Sequence, residues 1–181
     1  YNNKVNERVN AFSGLKALST RLVNALETTD ATAQVIKDAK GFNRKLQGKR
    51  ASTATTPIDP NTPAPATIST SQQSYDQQIQ HLAGLTSVLI SEPSYAPNET
   101  ELATATLTAL QINLTAKNNE VATAYTNISN SRIARNNTLY ADSTGLVEIA
   151  TEVKKYIKSL YGASSPEFAQ VKGIEFKKAK K

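Results

Sequence analysis

The stretch between Asn98 and Thr144 contains neither glycine nor proline, the residues that most strongly disfavour a helix interior. Its apolar residues recur at steps of three, four or seven, which places them on one helical face: Leu107, Leu110, Leu114, Val121, Ala124 and Ile128. Asn98 is the predicted N-cap, and Glu101 completes a capping-box arrangement. The pattern predicts one helix from Asn98 to about Tyr140. Such a helix needs packing partners, because isolated helices are only marginally stable in water.

A second apolar run precedes the long helix and ends at Pro93. Its members share one helical face, and they are Tyr75, Ile79, Leu82, Leu85 and Leu89. The connection "PSYAP" between this helix and the long one is short, and short connections join antiparallel helices. The sequence therefore predicts a helical hairpin over residues 72–140.

A further helix is predicted over residues 145–161. Ser143 or Thr144 is its expected N-cap, while Gly162 and then Pro166 end it. Its apolar residues step alternately by four and three positions: Leu146, Ala150, Val153, Ile157 and Leu160. This spacing again predicts a single apolar face.

Residues 1–23 reappear at residues 125–147, and without a gap ten of the 23 positions are identical. Such self-similarity indicates an internal repeat. With one inserted residue, the match extends over residues 1–48 and 125–173. Ser19 and Thr20 align with Ser143 and Thr144, so a helix break is expected near Ala17–Ser19. Four aligned residues should be buried in equivalent places: Leu22 on Leu146, and Val23 on Val147.

The two copies flank residues 51–70, which hold four of the seven prolines and eight Ser/Thr residues. This composition predicts a semi-extended linker. Residues 1–50 are then the C-terminal part of helical repeat 1. Residues 71–181 form helical repeat 2, with the hairpin, the helix at 145–161 and a basic tail. The predicted fold is all-α, an elongated helical bundle built from two duplicated helical units, and the visible chain is expected to begin midway through repeat 1.

The sequence contains no recognisable catalytic apparatus. It has no Cys, and His81 is its only His, so both metal-ligand spacing and a nucleophile–His relay are missing. We expect His81 to be a surface residue. Glu148 and Glu152 are spaced i, i+4, but Lys155 and Lys158 lie on the same helix, which favours a solvated charged face over an acid–base pair. The chain is predicted not to be an enzyme and to need no cofactor.

The net charge of +6 is concentrated in two blocks. Residues 1–50 hold ten Lys/Arg against four Asp/Glu, and residues 141–181 hold eight against five. Clustered basic residues release counterions from a polyanion, whereas the plainer interpretation is solubilising charge. No recognition motif or stacking platform accompanies these residues. The candidate patch for an anionic partner comprises Lys37, Lys40, Arg44, Lys45, Lys49, Arg50, Lys154, Lys155, Lys158 and Lys172.

Four segments of the chain carry a family resemblance: "NRKLQGKRAS", "SQQSYDQQI", "NSRIARNNTLY" and "TGLVEIATEVKKYIKSLYGASSPEFAQVKGIEF". At these segments, and over nearly its whole length, the chain resembles a family of uncharacterised helical proteins from Bacteroidetes genomes. It implies further sequence before Tyr1 and no assigned activity. The predicted function is a non-enzymatic structural or protein–protein interaction module, with an unknown protein or a second copy as partner and no membrane span. The alternative is a binder of nucleic acid or acidic polysaccharide through the basic patch.

Overall fold

A computed structural model describes residues 1–49 and 72–177, and over these residues the protein is all-α, with no β-strand. The chain divides into two compact units, Tyr1–Thr123 and Ala124–Lys181. The boundary falls inside the longest helix. The predicted linker at residues 51–70 lies outside the described residues.

Unit 1 contains four helices, a 3₁₀ turn at Thr100–Leu102 and the first part of a fifth helix. The helices are α1 (Asn2–Phe12), α2 (Leu15–Glu27), α3 (Ala33–Leu46), α4 (Tyr75–Ile90) and α5 (Thr104–Tyr140). The side-chain oxygens of Thr32 and Ser74 accept backbone hydrogen bonds at the starts of α3 and α4. These caps satisfy amide groups that have no partner inside their helices.

The core of unit 1 forms where α4 packs against α3 and α2. The predicted apolar face of α4 is confirmed, because Leu82, Leu85 and Leu89 are almost completely buried. Gly84 allows the close approach of α3: a Cβ atom at this position would lie 2.3 Å from the ring of Phe42.

The predicted helix break near Ala17–Ser19 is wrong, since α2 continues through these residues. The break between α1 and α2 occurs earlier, at Ser13 and Gly14. Ser19 is buried instead of capping a helix, and its hydroxyl lies 2.9 Å from both the Lys16 carbonyl oxygen and Asn43 Oδ1. A buried hydroxyl satisfied in this way does not interrupt the helix.

Polar contacts attach α1 and α4 to α5. Asn118 Nδ2 in α5 donates to Asp76 Oδ1 at the start of α4, at 2.8 Å. Because the end of α4 connects to the start of α5, this contact makes the two helices antiparallel, as the hairpin prediction requires. Arg8 of α1 donates to Asn118 Oδ1 at 2.9 Å, and its guanidinium carbon lies 4.0 Å from the centre of the Tyr75 ring.

The long helix ends at Tyr140 as predicted, but it begins at Thr104, so the prediction that Asn98 is its N-cap is wrong. The 3₁₀ turn at Thr100–Leu102 precedes it, with Glu99 in the N-cap position. Tyr95, in the connection after α4, donates its hydroxyl to the Leu102 carbonyl at 3.0 Å. This buried hydrogen bond joins the connection to the turn, and the turn displaces the start of the α-helix.

Unit 2 comprises the end of α5, α6 (Leu146–Tyr161) and α7 (Pro166–Lys172). The helix predicted at 145–161 is confirmed, and Gly162 follows it as the C-cap. The predicted cap at Ser143 or Thr144 is wrong, because Gly145 occupies the N-cap position and makes no side-chain cap. A Cβ atom on Gly145 would lie 2.5 Å from the Ala141 backbone nitrogen, so this turn needs a glycine.

The prediction that all four aligned residues of the two repeats are buried is also wrong. Leu22, Val23 and Val147 are buried as expected, but Leu146 is 57% exposed. The helix boundaries explain the difference: Leu146 begins α6, whereas its aligned residue Leu22 lies in the middle of α2. The described residues therefore do not confirm a duplicated structural unit.

Candidate interaction surface

One side of α6 exposes a continuous set of large apolar side chains, which we name the α6 apolar face. Its members are between 45% and 66% exposed: Leu146, Ile149, Val153, Tyr156, Leu160 and Tyr161. The first five recur at steps of three and four residues and so lie on one side of the helix, and Tyr161 directly follows Leu160 at the edge of that side. Their exposed area is on the order of 600 Å², at the upper end of what a typical monomer leaves open in one patch.

The α6 apolar face is open because α7 packs on a different side of α6. Phe168 is the buried residue of α7, and Lys158 Nζ lies 6.0 Å from the centre of the Phe168 ring. Lys154 Nζ donates to the carbonyl oxygens of Lys172 and Ile174, at 2.7 and 2.8 Å. These contacts hold α7 and the following residues against the Lys154–Lys158 side of the helix.

The same apolar spacing in unit 1 is covered. Steps of three, four and three residues relate Leu15, Leu18, Leu22 and Ala25 in α2, and equally Leu146, Ile149, Val153 and Tyr156 in α6. Leu15 and Leu22 are 3% and 0% exposed and Leu18 and Ala25 are half-buried, because α3, α4 and the 3₁₀ turn pack around α2. Within the described residues of unit 2, α6 thus carries the pattern of a core helix without an equivalent cover.

Sequence reasoning found only part of this surface. It identified the row from Leu146 to Leu160 but omitted Ile149, Tyr156 and Tyr161. The missed signal was a second row of apolar residues, three positions after Leu146 and three after Val153. Two adjacent rows make an apolar face wider than a narrow helix seam.

The predicted patch residues of unit 1 lie mainly along α3. Lys37, Lys40 and Arg44 line one open groove of about 500 Å³. Lys40 Nζ forms an ion pair with Glu27, and Lys45 Nζ lies 5.6 Å from the centre of the Phe42 ring. The structure therefore brings part of the predicted patch together on one helix.

The remaining predicted basic residues are distributed differently. Lys154 and Lys158 are engaged with α7, as described above, while Lys155 and Lys172 are exposed. Lys49 is exposed at the end of the described part of unit 1, and Arg50 lies outside the described residues.

The prediction of a surface His81 is wrong, because His81 is only 7% exposed. Its burial, assisted by the positive charge of Lys45, lowers the pKa of the imidazole below its ordinary 6.5. Nε2 has no hydrogen-bond partner. Across residues 1–49 and 72–177, no group of three His, Asp or Glu side chains is placed to hold a metal ion.

An apolar groove of about 330 Å³ lies beside α2, lined by Ala11, Leu15, Leu18 and Leu110, among others. Arg21 and Glu101 also line it, and they form an ion pair with each other at 2.7 Å. Ligand sites usually combine an apolar wall with polar groups that are available to the ligand. The two charged groups of this groove satisfy each other instead.

Comparisons with protein-family models, with curated proteins and with solved structures found no match to this chain. The family resemblance noted above therefore stays a prediction. Among the helices of the described residues, none combines the length and the apolar character needed to cross a membrane.

Proposed function

We propose that the protein is a non-enzymatic structural or protein–protein interaction module, and that the α6 apolar face is its contact surface. The observation that carries this proposal is the exposure of six large apolar side chains on one helix side. Burying them against a protein surface removes apolar area from water, at about 25 cal/mol per Å² before the costs of association.

Site-specific photo-cross-linking tests this proposal. A photoreactive residue at Val153, in the middle of the α6 apolar face, should form a covalent adduct with a protein in cells that produce the chain. The matched control is the same residue at Lys155, which is exposed on the opposite side of α6. Absence of a protein adduct at Val153, or equal adducts at both positions, contradicts the proposal.

A second candidate function is the binding of an anionic partner along α3. It is favoured by the groove that Lys37, Lys40 and Arg44 line together. Binding to duplex DNA should weaken by about 0.9 log unit per log unit of salt for each phosphate that is neutralised.

Replacing Lys37 with Gln should flatten this salt dependence, whereas replacing Lys16, an exposed lysine of α2 outside the groove, with Gln should leave it unchanged. The same titration with an acidic polysaccharide separates the two polyanion classes. Affinity no tighter than about 10⁻⁴ M at physiological salt, the weak end of non-specific association, eliminates this candidate.

A further inference from the structure

We infer that the partner of the α6 apolar face is the same face of a second copy of this chain. The inference rests on the proposed function and specifies its partner. It goes beyond that function because it assigns the occupant, the pairing helix and the resulting oligomer.

The spacing along α6 suits pairing with a like helix. Leu146, Ala150, Val153, Ile157 and Leu160 alternate steps of four and three residues, the pattern by which two helices interlock side chains along a common seam. Ala150 is the small member of this seam, and a small side chain lets two helix backbones approach. Leu146, Val153 and Leu160 of this seam belong to the exposed α6 apolar face, while Ala150 and Ile157 are half-buried.

Unit 1 shows what covers this pattern inside the protein itself. Helix α3, which packs more extensively against α2 than α4 does, carries Val35, Ala39, Phe42 and Leu46 at steps of four and three. The α6 residues from Leu146 to Leu160 repeat these steps. One α6 can thus cover another in the way that α3 covers α2.

The available area agrees with a dimer. Two copies, each burying on the order of 600 Å², lose about 1,200 Å² in total, which is the lower limit for specific interfaces. Lys154 is engaged with backbone carbonyl oxygens and Lys155 lies on the far side of the helix, so the charge that borders the face is the exposed Glu152, next to Ile149 and Tyr156.

Sedimentation equilibrium of the purified chain tests the inference, from low micromolar to several hundred micromolar concentration. The expected result is a reversible monomer–dimer equilibrium. Val153→Glu should raise the dimer dissociation constant at least about 30-fold, because it places an unpaired charge in the centre of the interface. Lys155→Glu, with a larger change of charge on the opposite side of α6, should leave the constant within about threefold of the original.

Circular dichroism checks that both variants keep their helices, and Tyr156→Ser serves as a second interface variant if Val153→Glu loses helicity. A chain that stays monomeric at all concentrations overturns the inference. A dimer that survives both interface variants also overturns it. These failures differ from failure of the proposed function: a monomeric chain whose Val153 cross-links to a different protein refutes the second copy and retains the interaction surface.

Discussion

Replacing Leu22 and Leu146 separately with alanine compares two residues that the sequence repeat aligns but the structure treats differently. Leu22 is 0% exposed and lies in the unit 1 core, whereas Leu146 is 57% exposed on α6. Leu22→Ala should lower the free energy of unfolding by about 2–5 kcal/mol, from lost hydrophobic transfer at about 0.8 kcal/mol per methylene plus the cavity left behind. Leu146→Ala should cost less than about 1 kcal/mol, because water already reaches its side chain.

Urea unfolding followed by circular dichroism measures these losses, at a concentration low enough to keep the chain monomeric. Two compact units need not unfold together, so a single transition cannot be assumed. Hydrogen-exchange mass spectrometry on peptides from α2 and α6 assigns each loss to its own unit. Equal losses in both variants, or a larger loss for Leu146→Ala, would refute the argument from burial.

Three further measurements test the remaining parts of the structure. Gly84→Val should lower the free energy of unfolding by about 1–3 kcal/mol, because the larger side chain overpacks against Phe42. Adding Phe42→Leu to this variant should recover part of the loss. An unchanged urea midpoint in Gly84→Val contradicts the close approach of α3 and α4. A hydrogen bond from Lys4, and a second one from Lys117, hold the pKa of Glu120 below its ordinary 4.5. The contribution of Glu120 to stability is therefore present above pH 4.5 and is lost as the pH falls through the lowered pKa. Glu120→Gln should therefore flatten the acid side of the stability–pH curve, and an unchanged curve argues against the network. The pKa of His81 is lowered in the folded protein, so below about pH 6.5 the unfolded chain binds a proton more readily than the folded one. His81→Leu removes this effect and should therefore stabilise the protein more at pH 5.5 than at pH 8. A stability difference between the two proteins that does not change with pH refutes this prediction.

Much of the helical structure could be predicted because helix formation depends on residues close together in the chain. The spacing of apolar residues correctly predicted α4, the end of α5 and the extent of α6. The starts of helices were less predictable. Asn98 and Ser143 both have side chains suited to capping, but a 3₁₀ turn follows Asn98 and Gly145 occupies the N-cap of α6.

The polar environments were the least accessible from sequence. His81 was expected at the surface because polar residues flank it, yet the packing of α4 in unit 1 buries it. Ser19 was expected near a helix break, yet Asn43, distant in sequence, lies within hydrogen-bond distance of its hydroxyl inside the core. Both outcomes depend on residues of other helices, which no local pattern specifies.

The sequence by itself determined that α2 and α6 each carry an apolar face, because side chains three and four residues apart must lie on the same side of a helix. Only the tertiary structure decided which face is covered: α3 and α4 pack against α2 and Leu22 is buried, while α7 contacts Lys154 and Lys158 and leaves Leu146 exposed. The physical reason is that amphipathicity is a property of one helix, whereas burial requires a second helix to reach it.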